Sequence, residues 1–219
     1  METEKLTDKI TLYNCDCMEF MKNIPDNYYD LAIVDPPYGL GIDGQKKSIC
    51  KNSKHNRKEH EQKNWDENTP NMGYFTELER VSKNQIIWGA NYFVENLTKG
   101  TKGWICWYKG QQGLTMSDCE LAYSSFSCPT RVVIINRHEL AKQHTFHPTE
   151  KPVKLYEWLL KNYAKPTDKI LDTHFGSCSI GIACHNFGCS LDACELDDEY
   201  FDKAYKRLRM HARQLDLFK

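Results

Sequence analysis

The chain has 219 residues, 40% of them hydrophobic, and a formal net charge of −1. That length supports one good-sized core and argues against two full domains. No apolar run is long enough to span a bilayer and no charged-then-apolar leader opens the chain, which predicts a soluble, cytoplasmic protein with no membrane partner. With charge near balance, any nucleic-acid surface must come from local clustering.

In chain order, "KITLYN" (9–14) predicts a short strand and "CMEFMKNI" (17–24) a short helix closed by Pro25. "YDLAIVD" (29–35) is a continuous apolar strand, the kind buried on both faces of a parallel sheet. It ends in Asp35-Pro36-Pro37-Tyr38, for which an ordinary strand has no structural use. Residues 39–70 show little apolar periodicity and many lysines. "GYFTELERVS" (73–82) predicts a helix; "NQIIWG", "GWICWYK", "CELAYSSF" and "RVVIIN" predict strands. Pro152 opens a helix through Tyr163, since proline suits a first turn. "DKILDTH" (168–174) is a strand, followed by a Gly/Ser turn and a helix. "SLDACEL" (190–196) is a strand, and from Asp198 a helix carries Phe201, Tyr205 and Leu208 on one side.

Strands alternating with helices predict an α/β fold: one Rossmann-like, doubly wound sheet, mostly parallel with an antiparallel edge strand. The domain spans residues 1–210, with 39–70 as a basic loop and 211–219 as a C-terminal tail. The ten cysteines lack the paired short spacing of a structural zinc site and are expected as free thiols packed like small apolar residues. No metal is expected; Cys50 with His55 and His60 is a poor candidate.

Ligands of such sheets bind at the carboxyl ends of the strands. Asp35, Asp172 and Glu195 all stand there, which places three acids along one rim. In "ILDTHFGSCSIGIA" (170–183) Gly176 allows a tight turn and Gly181 lets the helix approach the sheet. Glu195 falls where a dinucleotide fold puts its ribose-binding acid. By itself this pattern is matched equally well by a plain strand–helix turn. A strand-end acid such as Asp172, however, repels a pyrophosphate and welcomes a cation. S-adenosylmethionine carries an ammonium and a sulfonium and no phosphate, so it suits the loop better than NAD.

The ending at Asp35 suits a different task. An exocyclic amine on a base is a poor nucleophile because its lone pair is delocalised. The Asp35 carboxylate and the Pro36 carbonyl, held still by the prolines, could accept its two hydrogens and point the lone pair at a methyl sulfonium. Tyr38 offers a flat face for a purine. The base would first have to leave the duplex.

"DPPY" together with the Gly-containing loop resembles the amino-DNA methyltransferases, which methylate adenine N6 or cytosine N4. The aspartate form is typical of the adenine enzymes. The order, with "DPPY" first and the cofactor loop last, resembles the β class, and "HPTEKP" (147–152) is similar to its cofactor motif ahead of the Gly-loop. "KNWDENTP" and "YFTELERVSKNQIIWGANYF" resemble compact phage and prophage members, which implies a bacterial host cell. The resemblance implies Asp35, Pro36, Pro37 and Tyr38 as catalytic residues. For S-adenosylmethionine it implies Asp16, Cys17, Asp35, His147, Thr149, Lys151, Pro152, Asp172, His174, Gly176, Ser177, Cys178, Glu195 and Leu196. The family loop usually reads Gly-Ser-Gly; Gly176-Ser177-Cys178 departs from it. The family's separate target-recognition domain is absent.

Double-stranded DNA is the expected partner. Lys46, Lys47, Lys51, Lys54, Arg57 and Lys58 follow the catalytic motif and could neutralise phosphates; a solvated charged loop is the plain alternative. Trp65, Trp88 and Trp107 could line a base pocket, although core packing is the default. "QLDLF" at the end resembles the peptide that docks on the bacterial sliding clamp, through Gln214, Leu215, Leu217 and Phe218. The chain is read as a monomer or homodimer. Other readings are a cytosine-N4 or RNA adenine methyltransferase, a protein-glutamine methyltransferase, which the motif order disfavours, and a catalytically silent DNA- or clamp-binding protein.

Overall fold

The computed structural model describes residues 2–43, 63–113, 117–136, 147 and 149–216. The strands are β1 (Glu2–Lys5), β2 (Ile10–Asn14), β3 (Leu31–Val34), β4 (Gln85–Trp88), β5 (Ile105–Tyr108), β6 (Cys119–Ser124), β7 (Arg131–Ile134), β8 (Lys169–Asp172) and β9 (Ser190–Glu195). The helices are α1 (Cys17–Met21), α2 (Met72–Val81), α3 (Val153–Tyr163), α4 (Ser179–Phe187) and α5 (Asp198–Asp216), with short 3-10 turns at Ala90–Tyr92 and Val94–Asn96. Every element expected from the sequence is present within a few residues.

The strands form one sheet in the order β1-β2-β9-β8-β3-β4-β6-β5-β7. The run from β2 to β4 is parallel throughout. After β3 the chain builds outward to β4; after β8 it builds the opposite way, to β9. The order therefore reverses between β3 and β8, and a cleft for ligands opens at such a point.

The expected antiparallel edge strand is β1, which pairs with β2. Its sequence, Glu-Thr-Glu-Lys, has no apolar residue, so no hydrophobic pattern announces it. Backbone ladder bonds hold it, and its charges suit an exposed edge. A second reversed strand, β6, lies inside the sheet, antiparallel to both β4 and β5. Among the described residues no helix lies between β5 and β6, and antiparallel neighbours need only a short connection.

Side chains alternate across the sheet with period two. Leu31 and Ile33 of β3 join a buried cluster with α3, α4 and α5, while Ala32 and Val34 join a second cluster with α1 and α2. Helices thus cover both faces, which fixes β3 firmly enough to aim whatever follows it. Helix α5 runs on through Asp216, so residues 211–216 are helical and the expected tail from residue 211 is corrected. Ala212, Arg213, Gln214 and Leu215 are all strong helix formers, which explains the extension. Among the described residues, no helix is long and apolar enough to cross a membrane.

Candidate active site

A cavity of about 530 Å³ opens at the carboxyl ends of β2, β3, β8 and β9, a size that holds a nucleoside-scale ligand. Its lining includes Asp16, Cys17, Asp35 and Pro37; His147, Thr149 and Lys151; and His174, Gly176, Ser177, Glu195 and Leu196. Segments far apart in sequence thus meet as expected.

The Gly-loop half is tightly determined. Gly176 adopts φ +49, and a Cβ there would approach the His147 ring at 3.4 Å. Glu195 Oε2 accepts from the Gly176 N–H at 2.8 Å and Oε1 from the Asp197 N–H at 3.0 Å. The backbone N–H of Leu196 also bonds this carboxylate, so of its about four acceptor positions one is left for a ligand hydroxyl. A Cβ on Gly181 would fall 2.9 Å from Phe175 and from Leu208, so glycine lets α4 pack against α5.

Three residues of the expected cofactor set lie off the cavity wall. Asp172 sits behind the loop, 2% exposed, accepting from the His174 N–H at 3.0 Å. Burial pushes its carboxyl up to about 8, with Asp35 and Glu195 adding to the rise. Pro152 is the residue just before α3. Cys178 is a correction: it is fully buried in the core and caps α4 at φ 65, ψ 19. A left-handed backbone favours glycine, which adopts it without strain, so the Gly-Ser-Gly pattern of the loop that this stretch resembles suits the position. Beside the loop, burial lowers the His174 imidazole to about 4, so it is neutral near pH 7.

The Asp35 half is a charge network. Tyr38 O–H donates to Asp35 Oδ1 at 2.6 Å, and Lys151 Nζ donates to Asp35 Oδ2. Lys151 also pairs with Glu120 Oε2 at 3.1 Å, and Glu120 Oε1 pairs with Lys109. Two acids therefore face two ammonium groups. Burial pushes the Asp35 carboxyl up, against the pull of Lys151. Burial also works against charge on Lys151 and Glu120, but the opposite charges around them win: Lys151 is held above its ordinary value and Glu120 below. Lys151, expected among the cofactor contacts, also grips Asp35.

The Tyr38 ring stacks on Tyr92 at 5.1 Å and 19°, so one face expected for a purine is covered by another ring. Behind it Gly89 adopts φ +68, and a Cβ there would lie 2.0 Å from a Tyr38 ring carbon. Glycine is required there for the tyrosine to sit as it does.

Sequence reading missed Glu120, Tyr92, Gly89, Lys63 and Asp66; each is an ordinary residue of a strand or loop until the fold assembles it. Of the three tryptophans considered, Trp65 lines the cavity, whereas Trp88 and Trp107 are core residues. Lys46, Lys47, Lys51, Lys54, Arg57 and Lys58 lie outside the described residues, as do Leu217 and Phe218; Gln214 and Leu215 fall in α5. Among the described residues, no three His, Cys, Asp or Glu side chains gather as a metal site.

The cavity suits S-adenosylmethionine on its own chemistry. Its two lysines are already neutralised, Lys63 by Asp197 and Glu199 and Lys151 by Asp35 and Glu120. What remains is acidic: Asp16 and Glu195 at the wall and Asp172 behind it. Such a lining favours a cationic, phosphate-free nucleoside.

Comparison with known proteins agrees. The DNA methylase family, of the N6/N4 type, matches residues 87–206. The type II methyltransferase M.HinfI of Haemophilus influenzae is 25% identical over 262 aligned positions, covering 95% of this chain and 71% of that protein. Among solved structures, the M1.HpyAVI–SAM complex superposes with TM-score 0.60 at 21% identity, covering 90% of this chain and 99% of that one. The cytosine-N4-specific PvuII DNA methyltransferase superposes with TM-score 0.60 at 11% identity, covering 95% and 93%.

Proposed function

The chain belongs to the DNA methylase family, and from that premise we propose that it transfers a methyl group from S-adenosylmethionine to the N6 amine of an adenine flipped out of double-stranded DNA. The observation that carries this reading is the shared cavity. Asp35, hydrogen-bonded to Tyr38, borders the same space as the Gly176 loop and Glu195. Aspartate ahead of Pro-Pro-Tyr is the form typical of the adenine enzymes it resembles.

When bound, S-adenosylmethionine supplies the methyl group on its sulfonium. Glu195 would hold the ribose through the acceptor position its backbone partners leave open, and Asp172 behind the loop would favour the positive charge. The Asp35 carboxylate has two acceptor positions left after Tyr38 and Lys151. One receives an N6 hydrogen, and the Pro36 carbonyl receives the other. These bonds draw the nitrogen out of conjugation and aim its lone pair, by positioning and electrostatics. The surplus proton leaves through Asp35, whose raised proton affinity suits the task. Flipping the base costs a few kcal/mol of stacking. The lysine-rich segment after the motif would repay part of that through phosphate contacts.

The test is transfer of labelled methyl to duplex DNA, single-stranded DNA and RNA, followed by nucleoside digestion. N6-methyladenine from duplex DNA is the expected product. N4-methylcytosine, or label confined to RNA, would overturn the reading. The QLDLF end is further proposed as a clamp-docking peptide. Its support is the sequence and the exposure of Gln214; docking in extended form would require the last turn of α5 to unwind. Absence of binding between the full chain and a bacterial clamp at high micromolar concentration would remove it.

A further inference from the structure

Just before α2 the chain reads Lys63-Asn64-Trp65-Asp66, and these residues touch both halves of the site. Asp66 is 1% exposed. Its Oδ1 accepts from the backbone N–H of Tyr38 at 2.7 Å and of Gly39 at 3.0 Å, and its Oδ2 from that of Ile42 at 3.0 Å. Its own carbonyl accepts from the Gly41 N–H at 3.0 Å. On the other side, Lys63 pairs with Asp197 at 2.8 Å and Glu199 at 2.7 Å, and the Trp65 ring lies 5.4 Å from that of His147.

A buried carboxylate is costly unless its oxygens are bonded. Here both oxygens are spent on one loop, 24 to 28 residues upstream, so this is not the local turn that aspartate commonly makes. The loop needs holding. Gly39 and Gly41 adopt φ +69 and +62, and glycine gives the backbone freedom that must be removed by other contacts. The first amide held belongs to Tyr38, whose hydroxyl orients Asp35.

We propose that Asp66 is a positioning residue for methyl transfer: its carboxylate clasps the Tyr38–Ile42 backbone and so fixes Tyr38 and, through it, the acceptor oxygens of Asp35. The proposal rests on the reaction argued above. Asp66 touches no substrate. Its loss lets the catalytic turn relax, while the Gly-loop half of the cavity, built from other residues, keeps its shape.

The test compares Asp66→Ala and Asp66→Asn with the full-length wild type in three measurements. The first is amide hydrogen exchange of the segment 38–42 in cofactor-free protein. The second is kcat for methyl transfer at saturating cofactor and DNA. The third is calorimetric affinity for S-adenosylmethionine. Asp66→Ala should expose the amides and lower kcat on the order of a hundredfold, the cost of an ångström-scale misplacement. Cofactor affinity should stay within about twofold, which a merely structural residue would not spare. Asp66→Asn should fall between, because its amide oxygen still accepts from Tyr38 and Gly39 while its NH₂ faces the Ile42 N–H. If Asp66→Ala does not fold, the Asn variant alone decides. Wild-type exchange and wild-type kcat in a folded variant would overturn the proposal, as would equal loss of kcat and cofactor affinity. If the wild type methylates no nucleic acid, the proposed reaction fails, and the exchange result still decides whether the clasp exists.

Discussion

The Gly-loop half of the cavity comes from one unbroken stretch: β8, the turn at Gly176, α4 and β9 follow in order from Lys169 to Glu195. The acceptor half is gathered from residues 35–38 on β3's end, 66 ahead of α2, 120 on β6 and 151 ahead of α3. The first half is a local motif whose geometry follows from its own turn and caps. The second exists only once strands distant in sequence pair, since Lys151 meets Asp35 and Glu120 through the sheet. If the halves are as separate as their construction implies, lesions in one should spare the chemistry of the other.

Asp35→Ala should be the most damaging. Losing a preorganised polar partner at the reacting centre costs about 3 kcal/mol or more, a rate loss of 10²–10³-fold or greater. Calorimetric affinity for the cofactor should change little beside that. Comparable losses in both measurements would show that the two halves are one unit.

How much could be read beforehand follows the same division. Asp35, Gly176 and Glu195 were legible because each sits at a strand end beside a residue type with a local reason. The register of β6 and the partners of Lys151 were not, because nothing in "CELAYSSF" distinguishes Glu120 from a surface acid. Cys178 was carried into the cofactor set by resemblance to a Gly-Ser-Gly loop, and a glycine has no side chain to show that a Cβ at this place turns into the core. The polar strand β1 carries no hydrophobic signal. The end of α5 was misplaced because charged residues continue a helix as readily as they form a tail.

Glu120→Gln should come next. Glu120 and Asp35 share Lys151. Without the Glu120 charge, Lys151 should neutralise Asp35 more fully and so weaken the pull of its open acceptor positions on the amine hydrogens. We expect kcat to fall roughly tenfold, as for loss of one charged hydrogen bond worth about 1.4 kcal/mol. Affinity for the cofactor should be unchanged. A variant that binds the cofactor more weakly but turns over normally would place Glu120 in the other half.

On the Gly-loop side, pH separates the halves. The Asp172 carboxyl is raised to about 8 by burial, so it is largely protonated at pH 7. A cationic ligand favours the carboxylate, so binding should expel a proton below pH 8. Affinity for S-adenosylmethionine should rise from pH 6 to 8, by at most about tenfold per unit, and level off above. Calorimetry in buffers of different ionisation enthalpy reads the released proton directly. Asp172→Asn should flatten the profile, while Asp35→Asn should keep its shape and move it to lower pH, since the Asp35 charge adds to the rise at Asp172. A profile that flattens only in the Asp35 variant would assign the proton to the acceptor half.

The smallest effect concerns the cap of α4. Cys178 holds φ 65, a left-handed conformation that costs a residue with a Cβ about 1–2 kcal/mol. Alanine and glycine both remove the buried thiol, so that loss cancels between them. Alanine keeps the strain and glycine relieves it. Glycine returns about 0.4–1 kcal/mol through its freer unfolded chain, which leaves Cys178→Gly more stable than Cys178→Ala by roughly 0.5–1 kcal/mol. For a domain of this size that is a melting-temperature difference of about 2 °C. Cofactor affinity should be equal in the two, because the side chain lies in the core and off the cavity wall. If the alanine variant melts at or above the glycine variant, the left-handed cap is not strained. If the two differ in cofactor affinity, Cys178 reaches the ligand after all, and the loop depends on its third residue as the family's usual Gly-Ser-Gly implies.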